Sequence, residues 1–525
     1  MPTVRHGVCE PRNMPDRPTH PAHLPPDAPR VVIVGGGTAG WMAAAALTRF
    51  APGHLVTLVE SEAIGTVGVG EATIPQIRLF NAGLGIEEAD FLAATKASFK
   101  LGIEFDGWHR EGEAYMHAFG LLGRAHGPLP FAQLWAKAHG EGFARPLRHH
   151  SLNAIAAYGG RMRVGLPDMP YAYHFDAGLY AALLRERAEE AGAVRIEGKI
   201  ARVESDPAAE RIDAVTLEDG RRIEGDWFID CSGFRALLIE GALQAGHEDW
   251  SHWLPCDRAW AVPCANGGEF TPFTRATARK AGWQWRIPLQ HRIGNGLVYS
   301  SAHWADQDAA DTLLAQLDGA AQGEPRPLRF TTGMRKRQWV GNCIALGLAA
   351  GFLEPLESTS IHLIQSALSR LLAMLPGRTI SPALRDAFNR QAAFEWTRVR
   401  DFVILHYHAN QRDGDFWADL RAMTLPDTLE HKLAEWRAGA YIHREHEELF
   451  TEPGWMQVLV GQGILPEGHN AIADTLDKST LITLFEGHER AAIRAANAMP
   501  DHSECVAQTL RAAASAAAMP FKEAS

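Results

Sequence analysis

Residues 31–60 constrain this chain more than any other stretch. Val31-Val32-Ile33-Val34 is an apolar run of strand length, and Gly35-Gly36-Gly37-Thr38-Ala39-Gly40 follows with glycines at 35, 37 and 40. Residues 41–50 then read as a helix, and residues 55–59 as a second strand that ends in Glu60. Strand, glycine turn, helix, strand and acid together give the full context of a dinucleotide-binding unit, which a glycine turn elsewhere would lack. Gly35, Gly37 and Gly40 permit a tight turn. With Thr38 and Ala39 they bring a pyrophosphate to a helix N-terminus, whose unpaired N–H groups favour anions. Glu60 is placed for a ribose hydroxyl.

Composition limits the rest. The chain has 525 residues, 46% of them hydrophobic, enough for a large core. Net charge is -11 with no basic block, which argues against nucleic acid and anionic membranes as partners. The longest apolar runs, such as 344–352, are too short to span a bilayer. Cys9, Cys231, Cys256, Cys264, Cys343 and Cys505 form no CxxC pair. A reducing cytoplasm fits, and no metal site is expected. Residues 1–30 are proline-rich without a signal-peptide core, so they read as a disordered tail. Residues 31–375 are expected to form a discontinuous nucleotide-binding module with substrate segments inserted around 106–170. Residues 376–500 read as a mainly helical substrate region and 501–525 as a C-terminal tail, either a helix or a loose segment.

Chemistry-bearing residues follow the opening unit. Ala97-Ser98-Phe99-Lys100-Leu101-Gly102-Ile103-Glu104-Phe105 alternates as one strand, with Phe99, Leu101, Ile103 and Phe105 on one face and Ser98, Lys100, Gly102 and Glu104 on the other. A lysine with few water neighbours there would lose basicity; alone, the pattern is better described as an ordinary half-exposed strand with a solvated Lys and Glu. Gly65, Gly68 and Gly70, then Glu71-Ala72-Thr73, suit a backbone lying against a flat ligand. His117 and Phe119 lie two apart and could flank a planar ring, although core packing is the simpler account.

Asp226-Trp227-Phe228-Ile229-Asp230-Cys231-Ser232-Gly233 looks like the strand that re-enters the nucleotide-binding sheet of flavoprotein monooxygenases. Trp283, Trp285 and Ile287 share a strand face that Pro288 terminates, either a core strand or an aromatic wall. A strand from Cys343 runs into the loop containing Gly347 and Leu348. Beyond Glu357, Ser358 or Thr359 suits a helix N-cap, followed by Ser360. The free N–H groups there could hold a halide or a flavin carbonyl oxygen. Position does not separate a catalytic role for Glu357 from that of a helix-start charge. No second GxGxxG follows a strand, so reduced flavin is expected from another protein.

This combination resembles the flavin-dependent tryptophan halogenases. The resemblance covers roughly residues 31–480 and rests on Gly35 to Ala43, Val69 to Pro75, Phe99-Lys100, His174 to Ala177, Asp230 to Gly233, the WxWxIP run from Trp283 to Pro288, and Phe352 to Thr359. It implies a mixed α/β fold: a Rossmann-like, flavoprotein monooxygenase-type FAD module with an added helical substrate domain. It implies FAD as FADH2, with O2 and bromide or chloride as co-substrates, a separate NAD(P)H-dependent flavin reductase and a small aromatic substrate. A homodimer is a further expectation. Hypohalous acid would travel along a tunnel past Trp283, Trp285, Ile287 and Pro288. Lys100 would hold it by hydrogen bond or as a haloamine, and Glu357 would accept the ring proton with Ser358 beside it.

The same resemblance implies that Thr359 and Ser360 bind the halide, with Ser360 standing where the family's tryptophan enzymes have glycine. Cofactor contacts would come from Gly35, Gly37, Thr38, Ala39, Gly40, Glu60, Gly70, Glu71, Ala72, Thr73, Gly347 and Leu348. His117 and Phe119 would sandwich an indole. The family's tyrosine-bearing lid is replaced by Phe450-Thr451-Glu452-Pro453-Gly454-Trp455, in which Phe450 could stack. Indole, a substituted indole or a tryptophan-containing peptide is therefore at least as well matched as free tryptophan. An aromatic hydroxylase and a redox-only flavoprotein are the rivals. Neither accounts for Lys100 together with Glu357.

Overall fold

The structure, a computed structural model, describes residues 27–65, 70–375, 377 and 379–517. Most of the proline-rich segment 1–30, and residues 66–69 of the glycine loop, lie outside the described residues. The chain opens as Arg30–Val34 (β1), Thr38–Phe50 (α1) and Leu55–Glu60 (β2), with β1 and β2 parallel in the register Val34↔Val59. Gly35 sits at φ +113 with its α-carbon against the Cys231 carbonyl, a place only glycine can fill.

Gly70–Ala72 (β3), Glu88–Thr95 (α2), Ser98–Lys100 (β4), Gly102–Asp106 (β5), Ala114–Ala118 (β6) and Ala172–Asp176 (β7) come next. Val194–Glu197 (β8) and Trp227–Asp230 (β9) return to the first sheet. Arg258–Cys264 (β10), Thr274–Arg279 (β11), Gly282–Pro288 (β12), Ile293–Tyr299 (β13) and Arg326–Arg329 (β14) build the second, and Trp339–Val340 (β15) and Cys343–Ala345 (β16) close the first. The first sheet has the order β15-β16-β9-β1-β2-β8 and the second β14-β10-β13-β12-β11-β5-β6; a third holds β3-β7-β4. Parallel strands around β1 carry the expected re-entry of β9, and the fold is mixed α/β.

Residues 97–105 form two strands, not one. β4 pairs with β7, while β5 pairs with β6 and β11, and the break falls at Leu101. The Leu101 N–H donates to the Pro272 carbonyl (2.7 Å) and its own carbonyl accepts from the Phe119 N–H (2.9 Å), so its backbone groups leave the β4 ladder. Both faces of this stretch are buried, Lys100 included.

Ser360–Ala373 (α3) follows the last strand, and Pro382–His408 (α4) begins the helical region expected at 376–500. The segment expected as a lid loop is instead the start of Glu452–Gly461 (α5): Pro453 fits the first helical turn, where no N–H is needed. The C-terminal stretch is helical. His502–Ala517 (α6) is a helix, with His502, Cys505 and Val506 buried against the body. Among the described residues no helix is long and apolar enough to cross a membrane.

Candidate active site

Lys100 is fully buried at the end of β4. Its ammonium donates to the Thr73 carbonyl (2.9 Å) and to Ser358 Oγ (2.7 Å), and lies 5.3 Å from the centre of the Phe119 ring. Burial lowers its basicity to about 7, against the opposing pull of the Glu357 charge. The strand under it is pinned: Ser98 Oγ donates to the Pro288 carbonyl (2.6 Å) and lies 3.2 Å from His174 Nδ1.

Glu357 ends a short 3-10 turn, Pro355–Glu357, and Ser358 follows in the left-handed region at φ +58. That kink turns the chain into α3. Glu357 is buried, yet two imidazoles hold its carboxylate: His117 Nδ1 at 2.9 Å and His406 Nε2 at 2.7 Å. Burial alone would raise its pKa; His117, then His406, overcome that and hold it at about 2. Tyr115 O–H donates to His406 Nδ1 (2.9 Å), which fixes the tautomer that gives Glu357 its N–H. His406 and Tyr115 carry no sequence signal, because a histidine in the last turn of α4 reads equally as a capping charge.

At the α3 start Thr359 occupies the cap position, but its side chain caps nothing, and its buried Oγ1 has no partner. The first-turn N–H groups therefore lack a side-chain acceptor. The turn at Gly37, Thr38 and Ala39 is partly open, a side chain at Gly37 would meet nothing within 4 Å, and α1 likewise has no side-chain cap. This cradle fits a pyrophosphate. Glu60 accepts from Arg195 Nε (2.5 Å) at the end of β2. Gly347, at φ +62, lies so close to Ala39 that a side chain there would press on it at 2.9 Å, which brings the Gly347-Leu348 turn against the same cradle. Burial pushes the Glu71 carboxyl up to about 7, which weakens the negative charge it carries near neutral pH. The residues present thus fit FAD.

Every residue of β12 is buried. Gly70 lies against Gly294 and Ile287, so β3 packs directly on β12 and β13. At the far end Trp283 Nε1 donates to Glu354, whose same oxygen accepts from Tyr407 (2.6 Å); Trp285 Nε1 is buried without a partner. Glu354 is a further buried polar residue of the site that the sequence motifs do not single out. An acid inside the apolar Phe352-Leu353 run was the available signal.

The aromatic sandwich is only partly assembled. The His117 ring is committed to Glu357, and Phe450 stacks on Phe402 (3.8 Å, 16°), with His117 6.1 Å away at 46°. Phe450 therefore offers an edge of an existing stack rather than a free face. Phe119 is partly exposed.

The tryptophan halogenase family model matches residues 30–478. Tryptophan 7-halogenase RebH of Lentzea aerocolonigenes is 35% identical over 482 residues, 83% of this chain and 90% of that protein. Among solved structures, Xcc4156, a flavin-dependent halogenase from Xanthomonas campestris, is 49% identical with a TM-score of 0.89, covering 92% of this chain and 98% of its own. BrvH, a flavin-dependent halogenase from Brevundimonas sp. BAL3, is 45% identical with a TM-score of 0.88, covering 92% and 100%.

Proposed function

This chain belongs to the tryptophan halogenase family, and on that premise we propose that Lys100 and Glu357 together direct halogenation of an uncharged, indole-type ring. The enzyme is an oxidoreductase that uses FADH2, O2 and a halide. Like its family, it works with an external flavin reductase and a small aromatic substrate. Gly35 to Gly40 with Glu60 would hold the nucleotide, and Gly70 to Thr73 with Gly347 and Leu348 the ring system. When bound, reduced FAD with O2 supplies the two-electron oxidation of bromide or chloride to hypohalous acid.

The protein does the rest. Thr359 Oγ1 and the first N–H groups of α3 offer a halide site. Lys100 uses two of its three N–H groups on Thr73 and Ser358, and the third is left for the oxygen of hypohalous acid. The ring carbon takes the halogen, the O–halogen bond breaks, and the hydroxide formed takes a proton from Lys100 to leave as water. Glu357, held as a carboxylate by two N–H donors, removes the proton from the ring carbon and restores aromaticity. Trp283 and Trp285 keep the substrate off the flavin.

The single observation that carries this reading is a buried cation bonded to Ser358, the chain neighbour of a buried carboxylate, Glu357. An uncharged ring is favoured because the cation over the Trp455 ring is engaged: Lys432 pairs with Glu448 (3.0 Å). Competition among indole, free tryptophan and a tryptophan-containing peptide, with bromide and limiting reduced flavin, tests it. Indole should take most of the halogen. Preference for free tryptophan would overturn the uncharged-ring assignment.

A further inference from the structure

We infer that His502, on the C-terminal helix α6, is a positioning residue for Lys100. This rests on the role of Lys100 proposed above. β4 is the edge of its sheet, with β7 on one side only. Backbone N–H groups on its other side are buried and need acceptors. At Leu101 the acceptor is the Pro272 carbonyl (2.7 Å). At Phe99, immediately before Lys100, it is an imidazole: the Phe99 N–H donates to His502 Nε2 at 3.2 Å. The histidine stands where a further strand would supply a carbonyl.

Its ring is fixed in the state that accepts. Nδ1 lies 3.0 Å from the Phe270 carbonyl, which cannot donate, so Nδ1 carries the proton and Nε2 is free for Phe99. The ring also stacks on Phe270 (4.5 Å, 15°) and is buried. The start of α6 is anchored independently, since the His502 N–H donates to the Gly160 carbonyl (2.8 Å) and Arg161 pairs with Asp501 (3.2 Å). Lys100 must meet Thr73 and Ser358 at 2.9 and 2.7 Å, a fit that a small slip of the edge strand would spoil. The matched family region ends at residue 478, so this support lies beyond it.

His502→Phe keeps the stack and removes both hydrogen bonds; His502→Leu removes the ring as well; His502→Gln can place an acceptor near Nε2. All are assayed as full-length protein loaded with FAD, by bromination of indole and by hydrogen exchange at the Phe99 amide without substrate. In whichever acceptor-less variant retains FAD, Phe99 should exchange faster. Bromination kcat should fall about tenfold with KM for indole within about twofold, and His502→Gln should recover most of the loss. Unchanged kcat alongside faster exchange would overturn the inference, as would loss of FAD binding in both acceptor-less variants, which would make the residue a determinant of folding. A wild-type protein that brominates nothing would instead count against the function proposed for Lys100.

Discussion

Lys100 Nζ stands 2.7 Å from Ser358 Oγ, which ties the edge strand β4 to the residue that turns the chain into α3. Ser358→Ala leaves the ammonium with Thr73 alone and frees its position. Product formed per reduced flavin consumed should fall about tenfold while FAD affinity holds, because the hydroxyl touches the cation and not the nucleotide cradle. Product yield against flavin oxidation checks this.

His406 reaches the same turn from α4. Its N–H, with that of His117, holds Glu357 well below the ordinary carboxylate range, at about 2. His406→Phe keeps the stack on Phe105 (4.3 Å) but removes the donor, so the Glu357 pKa should rise. Glu357 then takes up a proton at higher pH, and the acid limb of the kcat profile should move up by about one pH unit. An unmoved limb would exclude a shared Glu357–His406 charge system.

Lys100 also leaves a mark on stability. Its pKa is about 7 in the folded protein and 10.5 for the free amine, so between those values the unfolded chain binds more protons and stability rises with pH. The cost of the buried ammonium is present in full below pH 7 and relieved toward pH 10. Relative to Lys100→Met, wild type should therefore gain on the order of a few kcal/mol between pH 7 and 10. Denaturant unfolding of both proteins across that range measures it.

The two tryptophans of β12 should respond differently to the same substitution. Trp283→Phe strands part of the buried Glu354 site, at a cost of about 1–3 kcal/mol. Trp285→Phe removes an indole N–H that is buried without a partner, so it should cost less than its neighbour. Equal destabilisation would contradict the hydrogen-bonding difference.

Local pattern made the nucleotide unit legible: glycine spacing, strand and acid all lie within residues 31–60. Lys100 and Glu357 were legible as residues but not as a pair, since 257 positions separate them and only the placement of β4 beside α3 unites them. Alternation misled at 97–105, because strands buried on both faces of two sheets alternate just as a half-exposed strand does. Tyr115, His406 and His502 were invisible because their roles depend on which ring nitrogen faces which partner, a property of packing alone.

The most direct test of the central claim is mass spectrometry of indole incubated with the FAD-loaded protein, a flavin reductase, NADH, O2 and bromide, with Lys100→Ala in parallel. The account predicts a product with the bromine isotope pattern that disappears in Lys100→Ala while FAD remains bound and is still reoxidised. A hydroxylated product, or bromination undiminished without Lys100, would contradict it.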